Sequence, residues 1–79
     1  MNADLITAEQ FRMARAALAM SRADVAGMTG LSKEAVGVAE TDPSRAPLAL
    51  AQKLLRYYSA KGVHFAKDAG RIGVLLRTE

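Results

Sequence analysis

Arg22-Ala23-Asp24-Val25-Ala26-Gly27-Met28-Thr29-Gly30-Leu31-Ser32-Lys33-Glu34-Ala35-Val36-Gly37-Val38-Ala39-Glu40-Thr41 is the stretch that decides the fold. It reads as two short helices meeting at a glycine. Ser21 precedes the first helix and Asp24 follows three residues on, so hydroxyl and carboxylate each satisfy an orphan amide of the first turn. Gly30 falls where a chain leaving a helix needs a positive φ. Ser32 caps the second helix, expected over Lys33 to about Glu40. Val25, Ala26 and Met28 are the expected inward residues of the first helix, Val36 and Ala39 those of the second. Two helices joined this way need a small residue where they touch, a glycine at the turn, and an apolar or β-branched residue behind the second helix. Ala26, Gly30 and Val36 stand at those three places.

Upstream, Thr7-Ala8-Glu9-Gln10 is another capping box, with Ile6 and Phe11 placed as a hydrophobic staple. The helix it opens is expected to run to about Met20, with Phe11, Ala14 and Leu18 as its apolar stripe. Downstream, Asp42-Pro43-Ser44 reads as a loop. Pro47 suits the first turn of a fourth helix, where its missing amide costs nothing. Leu48, Ala51, Leu54, Leu55 and Tyr58 mark that helix's buried face. Gln52, Lys53, Arg56 and Lys61 mark its wet face, and Gly62 ends it. Val63-His64-Phe65 alternates, Asp68-Ala69-Gly70 reads as a turn, and Gly73-Val74-Leu75-Leu76-Arg77 is β-prone, so the tail over 63–77 is expected to be a short hairpin. The fold expected is mainly α: a single domain of about four helices, its helical core over 7–61, closed by that hairpin.

Composition narrows the function. A chain of 79 residues carries one small core, for which oligomerisation is a common support. It has no cysteine, which rules out disulfides and thiolate metal sites. Lys and Arg exceed Asp and Glu by 11 to 8, a net charge of +3 that suits a polyanionic partner. No apolar run approaches the roughly 20 residues that span a bilayer. Met1-Asn2-Ala3-Asp4 lacks the charged-then-apolar layout of a signal peptide, so a soluble, cytoplasmic protein is expected. The glycines are scattered, so no phosphate loop is formed. Acids such as Asp24 and Glu34 lack a histidine or serine arranged for catalysis. No enzyme, cofactor or metal site is expected.

With these residues in place, the chain resembles the Cro/repressor-like (XRE-type) helix-turn-helix regulators of bacteria and phages. The resemblance covers about the first three quarters of the chain. It rests on Ala16 to Leu18, Ser21-Arg22-Ala23-Asp24-Val25-Ala26, Gly30-Leu31-Ser32, Val36 and Glu40, with the motif proper at 22–41. Ala60-Lys61-Gly62-Val63-His64-Phe65 with Gly73-Val74-Leu75-Leu76-Arg77 is similar to a β ending in some short members.

The resemblance implies a lambda-repressor-like domain that binds DNA and regulates transcription, most often as a repressor. It implies a recognition helix at 33–40 in the major groove. Base contacts then fall to Lys33, Glu34, Gly37 and Val38: a lysine donates to guanine, a glutamate accepts from cytosine, and a valine touches a thymine methyl. Phosphate contacts fall to Ser21, Arg22, Ser32, Thr41, Ser44 and Arg45. Arg15 and Glu40 match a structural ion pair that holds the recognition helix in register. Arg22 replaces the usual glutamine and favours charge-driven contact. The recognition helix holds no Gln, Asn or Arg, so its direct readout is narrow and DNA shape contributes. A homodimer on a palindromic operator is expected, its half-sites about 34 Å apart, with the β tail as one route to pairing.

Blander readings stand beside these. Lys33 and Glu34 also suit a solvated helix start. Arg22 and Arg45 also suit an ordinary exposed surface. His64, the lone histidine, suits packing or surface better than ligation. Tyr57 and Tyr58 are expected to split, one inward and one outward. The narrow reading helix and Gly37 keep open a second class of function: a protein-interaction module, antiactivator or antitoxin-like, without specific DNA binding.

Overall fold

The computed structural model describes residues 6–78; the Met1-Asn2-Ala3-Asp4 stretch weighed as a leader lies outside them. The chain is mainly helical, with a two-stranded antiparallel hairpin at its C-terminal end. Helix α1 is Ala8–Ala17, α2 is Arg22–Thr29, α3 is Lys33–Thr41 and α4 is Leu48–Ala60. A single 3-10 turn, Pro43–Arg45, links α3 to α4. Strands β1 (Val63–Asp68) and β2 (Arg71–Leu76) pair in register from Val63↔Leu76 to Asp68↔Arg71.

Local chemistry starts the first three helices where the sequence places them. Thr7 Oγ1 accepts from the Gln10 amide while Gln10 Oε1 accepts from the Thr7 amide, both at 3.1 Å. Ser21 and Asp24 form the same reciprocal pair at 3.0 Å. Ser32 Oγ accepts from the Ala35 amide at 3.0 Å. Gly30 has φ +77°, the left-handed conformation that only glycine adopts without a Cβ penalty.

Helix α1 stops at Ala17, three residues short of the expected Met20. The Ala19 amide bonds the Ala16 carbonyl and the Met20 amide bonds the Arg15 carbonyl. That is a Schellman closure, with Ala19 at φ +56° in the place glycine usually takes. The hairpin turn likewise puts Ala69 (φ +49°) and Gly70 (φ +81°) in left-handed conformations, matching the right-handed twist of the strands it joins.

The core is one cluster: Phe11 and Ala14 from α1, Val25 and Ala26 from α2, Val36 and Ala39 from α3, Leu54 and Tyr58 from α4, and Val63 from β1. All four aromatic rings of the chain join edge to face across it. Phe11 meets Phe65 at 6.2 Å, Phe65 meets Tyr58 at 6.2 Å, and Tyr58 meets Tyr57 at 5.6 Å. Tyr58 is buried and Tyr57 half-buried, the expected split.

Other expectations are corrected. Met28 is 60% exposed and Thr29 takes its inward place, because residues 25, 26 and 29 share the face of α2 that meets the core. Leu48 is 73% exposed, at the first residue of α4 and ahead of the stretch that reaches the core. Pro47 is the residue before α4 rather than within its first turn. Asp42-Pro43-Ser44, read as loop, runs into the 3-10 turn.

Gln10 fastens the hairpin to α1. It is 2% exposed, and its Nε2 donates to the carbonyls of Ala66 (2.9 Å) and Gly73 (3.0 Å). Those two residues are cross-strand partners, so one amide group grips both strands. With Oε1 held by the Thr7 amide, this buried glutamine is satisfied on both ends.

Candidate nucleic-acid interface

Helix α3 is amphipathic in a way that leaves one side free. Val36, Ala39 and Glu40 are buried against the scaffold. Lys33, Glu34 and Thr41 are exposed, and Gly37 and Val38 are half-exposed. At 100° per residue, Glu34, Gly37, Val38 and Thr41 share the side opposite the buried stripe, and Lys33 borders it. The four residues expected to touch bases therefore lie along one accessible strip. Within the described residues, neither Lys33 nor Glu34 has an ion-pair partner in the protein.

Glu40 anchors the strip from behind. Its side chain is 1% exposed, yet it carries a carboxylate. Arg15 of α1 grips it with two parallel bonds, Nε to Oε2 at 2.7 Å and Nη2 to Oε1 at 2.9 Å. Arg22 of α2 adds Nε to Oε1 at 3.0 Å. Arg12 of α1 donates through Nη1 to the Glu40 backbone carbonyl, near the negative end of α3. Arg15 also donates from Nη1 to the Met20 carbonyl at 3.0 Å, which ties in the α1–α2 turn. The hydrogen bond to Glu40 raises the Arg15 pKa above its ordinary value, against the opposing effect of burial. One acidic side chain thus fixes α3 to both preceding helices.

The expected pair of Arg15 and Glu40 forms, and Arg22 joins it. Arg22 is expected from the sequence as a phosphate contact; its bond to Glu40, the Arg12 bond to the Glu40 carbonyl and the Gln10 bonds to the hairpin are not. No local pattern announces these bonds, since Arg22 and Glu40 are 18 residues apart and Gln10 and Gly73 are 63 apart. Arg22 remains 38% exposed. Its guanidinium lies over Gly37: a Cβ there would stand 3.2 Å from Nη1 and 3.7 Å from Cζ. Gly37 thus makes room for Arg22 and presents no side chain of its own.

The remaining expected phosphate contacts differ in availability. Ser21 and Ser32 sit at helix N-termini, exposed, where amides and the helix dipole attract anions. The Ser21 amide, and then its hydroxyl, hold the Asp24 carboxyl below the usual carboxylate range. Thr41 bonds back to the Gly37 carbonyl at 2.9 Å. Ser44 donates to the Asp42 carboxylate. Arg45 is exposed at the end of the 3-10 turn.

An open hollow of about 400 Å³ lies away from α3, lined by Ser59, Gly62, Val63, His64, Leu75, Leu76 and Arg77. His64 is on the surface, as the bland reading expects. Among the described residues no helix is long and apolar enough to cross a membrane.

Comparison with family models, characterised proteins and solved structures gave no match to the chain.

Proposed function

We propose that this chain is a sequence-specific DNA-binding regulator of transcription. In this reading α2, the Gly30 turn and α3 form a helix-turn-helix, and α3 is the recognition helix. The observation that carries it is the division of α3: an inner stripe locked through Glu40 to two other helices, and an outer strip within Lys33 to Thr41 that is accessible apart from the Arg22 guanidinium over Gly37. A reading head needs both, because rigid placement of a few side chains is what discriminates base edges. The basic balance of the chain adds the sequence-independent attraction to phosphates.

In the proposed complex the N-terminal end of α3 enters the major groove with Lys33 and Glu34 at base edges and Val38 beside them. Ser21, Ser32, Thr41, Ser44 and Arg45 flank it toward the phosphates. The chain acts as a homodimer on a palindromic operator in the cytoplasm, most simply as a repressor that occludes polymerase. Gel-shift and anisotropy titrations against DNA upstream of its own gene test this. Lys33→Ala is expected to weaken specific binding by about 1–3 kcal/mol. Arg45→Ala is expected to weaken all sequences alike and to flatten the salt dependence. Binding unchanged by both substitutions overturns the docking, and absence of binding overturns the function.

A further inference from the structure

We propose that Arg22, carried by α2 but laid across Gly37 of α3, is the guanine-reading side chain of the interface. This rests on the DNA-binding reading above and names the residue that sets its specificity. A recognition helix normally reads bases with its own long side chains. The body of α3 has none: after Lys33 and Glu34 come Ala35, Val36, Gly37, Val38 and Ala39. At residue 37, on the exposed side, the helix has no side chain at all. The guanidinium of Arg22 occupies the space directly above it, closer to a virtual Cβ than most neighbours come.

Arg22 is also held for the task. Its Nε is committed to Glu40 Oε1, which limits how the planar group can rotate. Glu40 is held in turn by two bonds from Arg15, so the support is rigid. The Nη hydrogens of Arg22 make no hydrogen bond among the described residues. Two such donors side by side match guanine O6 and N7 in the major groove. Gly37 is therefore a seat. Even a methyl there stands 3.2 Å from Nη1 and makes the guanidinium give by a few tenths of an ångström, although alanine is favoured over glycine in a helix.

The test is selection from randomised duplex DNA with the full chain, run in parallel for wild type, Arg22→Ala and Gly37→Ala. Circular dichroism shows that each variant keeps its helices. Wild type is expected to select a guanine at one fixed half-site position. Both variants are expected to lose roughly ten-fold discrimination at that position and to keep the preferences set elsewhere. Gly37→Ala is the stronger arm, because it retains Arg22 and its charge and keeps the inference testable if Arg22→Ala unfolds. If Arg22→Ala weakens every sequence equally and leaves the guanine preference intact, Arg22 is a phosphate contact and the inference falls while DNA binding stands. If Gly37→Ala leaves the preference intact, the seat has no role and the inference falls likewise. If wild type selects nothing, the DNA-binding reading itself fails.

Discussion

Replacing Glu40 by glutamine removes one charge from a buried junction and changes almost no volume. The wild-type carboxylate accepts three charged hydrogen bonds, at 2.7, 2.9 and 3.0 Å, with a side chain 1% exposed. A glutamine amide still accepts at Oε1, but its nitrogen then faces an arginine donor. Arg15 is 23% exposed and cannot turn fully to water, whereas Arg22 at 38% can relax outward. Breaking a buried pair by removing one partner costs about 3–5 kcal/mol, and the partial exposure of both arginines places Glu40→Gln near ~3 kcal/mol. That is a large share of the roughly 4–12 kcal/mol expected for a domain this size. It corresponds to a fall in Tm on the order of 12–24 °C. Urea unfolding followed by circular dichroism reads it directly. The bonding also orders the single changes. Arg15→Ala takes two of the three bonds and should cost about as much as Glu40→Gln, while Arg22→Ala takes one and should cost about 1 kcal/mol. Because the junction is sheltered, these differences should change little between low and high salt. A Glu40→Gln cost below 1 kcal/mol, or equal costs for the two arginines, refutes the junction as described.

Three further substitutions probe other parts of the fold. The Tyr58 hydroxyl is buried with no hydrogen-bond partner among the described residues, so Tyr58→Phe should raise stability by about 1 kcal/mol in thermal melts near neutral pH. Burial, and then the nearby Glu40 charge, push the Tyr58 pKa from 10.0 up to about 12. The raised folded pKa means its contribution is fully present below pH 10 and is lost as pH climbs toward 12, a decline that Tyr58→Phe should remove. Ala19→Gly relieves a left-handed alanine and should stabilise by about 1 kcal/mol; a lower Tm contradicts the Schellman closure. Gln10→Ala removes the bond from the Thr7 amide to Oε1 and the grip on both strands, so about 2–3 kcal/mol and faster amide exchange in the hairpin are expected.

What the sequence disclosed and what it hid follow from the range of the forces involved. Thr7 with Gln10, Ser21 with Asp24, and Ser32 each act on amides three residues away, so residue order alone reveals them. Gly30 at the α2–α3 turn and the turn at Asp68-Ala69-Gly70 were legible because glycine marks where a chain takes a positive φ. Ala19 was not, because alanine gives no hint of a left-handed conformation that the surrounding hydrogen bonds impose. Met28 and Leu48 misled because an apolar residue on a helix need not face inward. At the site, the resemblance to helix-turn-helix regulators pointed to Arg15 and Glu40, whereas the placement of Arg22 over Gly37 emerges only when α2 and α3 pack.

If α3 is a recognition helix, its outer strip meets DNA. Amide NMR of the full chain, titrated with duplex from upstream of its own gene, detects that contact residue by residue. Resonances of Lys33, Glu34, Gly37 and Val38, with Arg22 at the start of α2, are expected to shift together, while those of β1 and β2 stay in place. Shifts confined to the hairpin, or none at DNA concentrations that saturate a specific site, would contradict it.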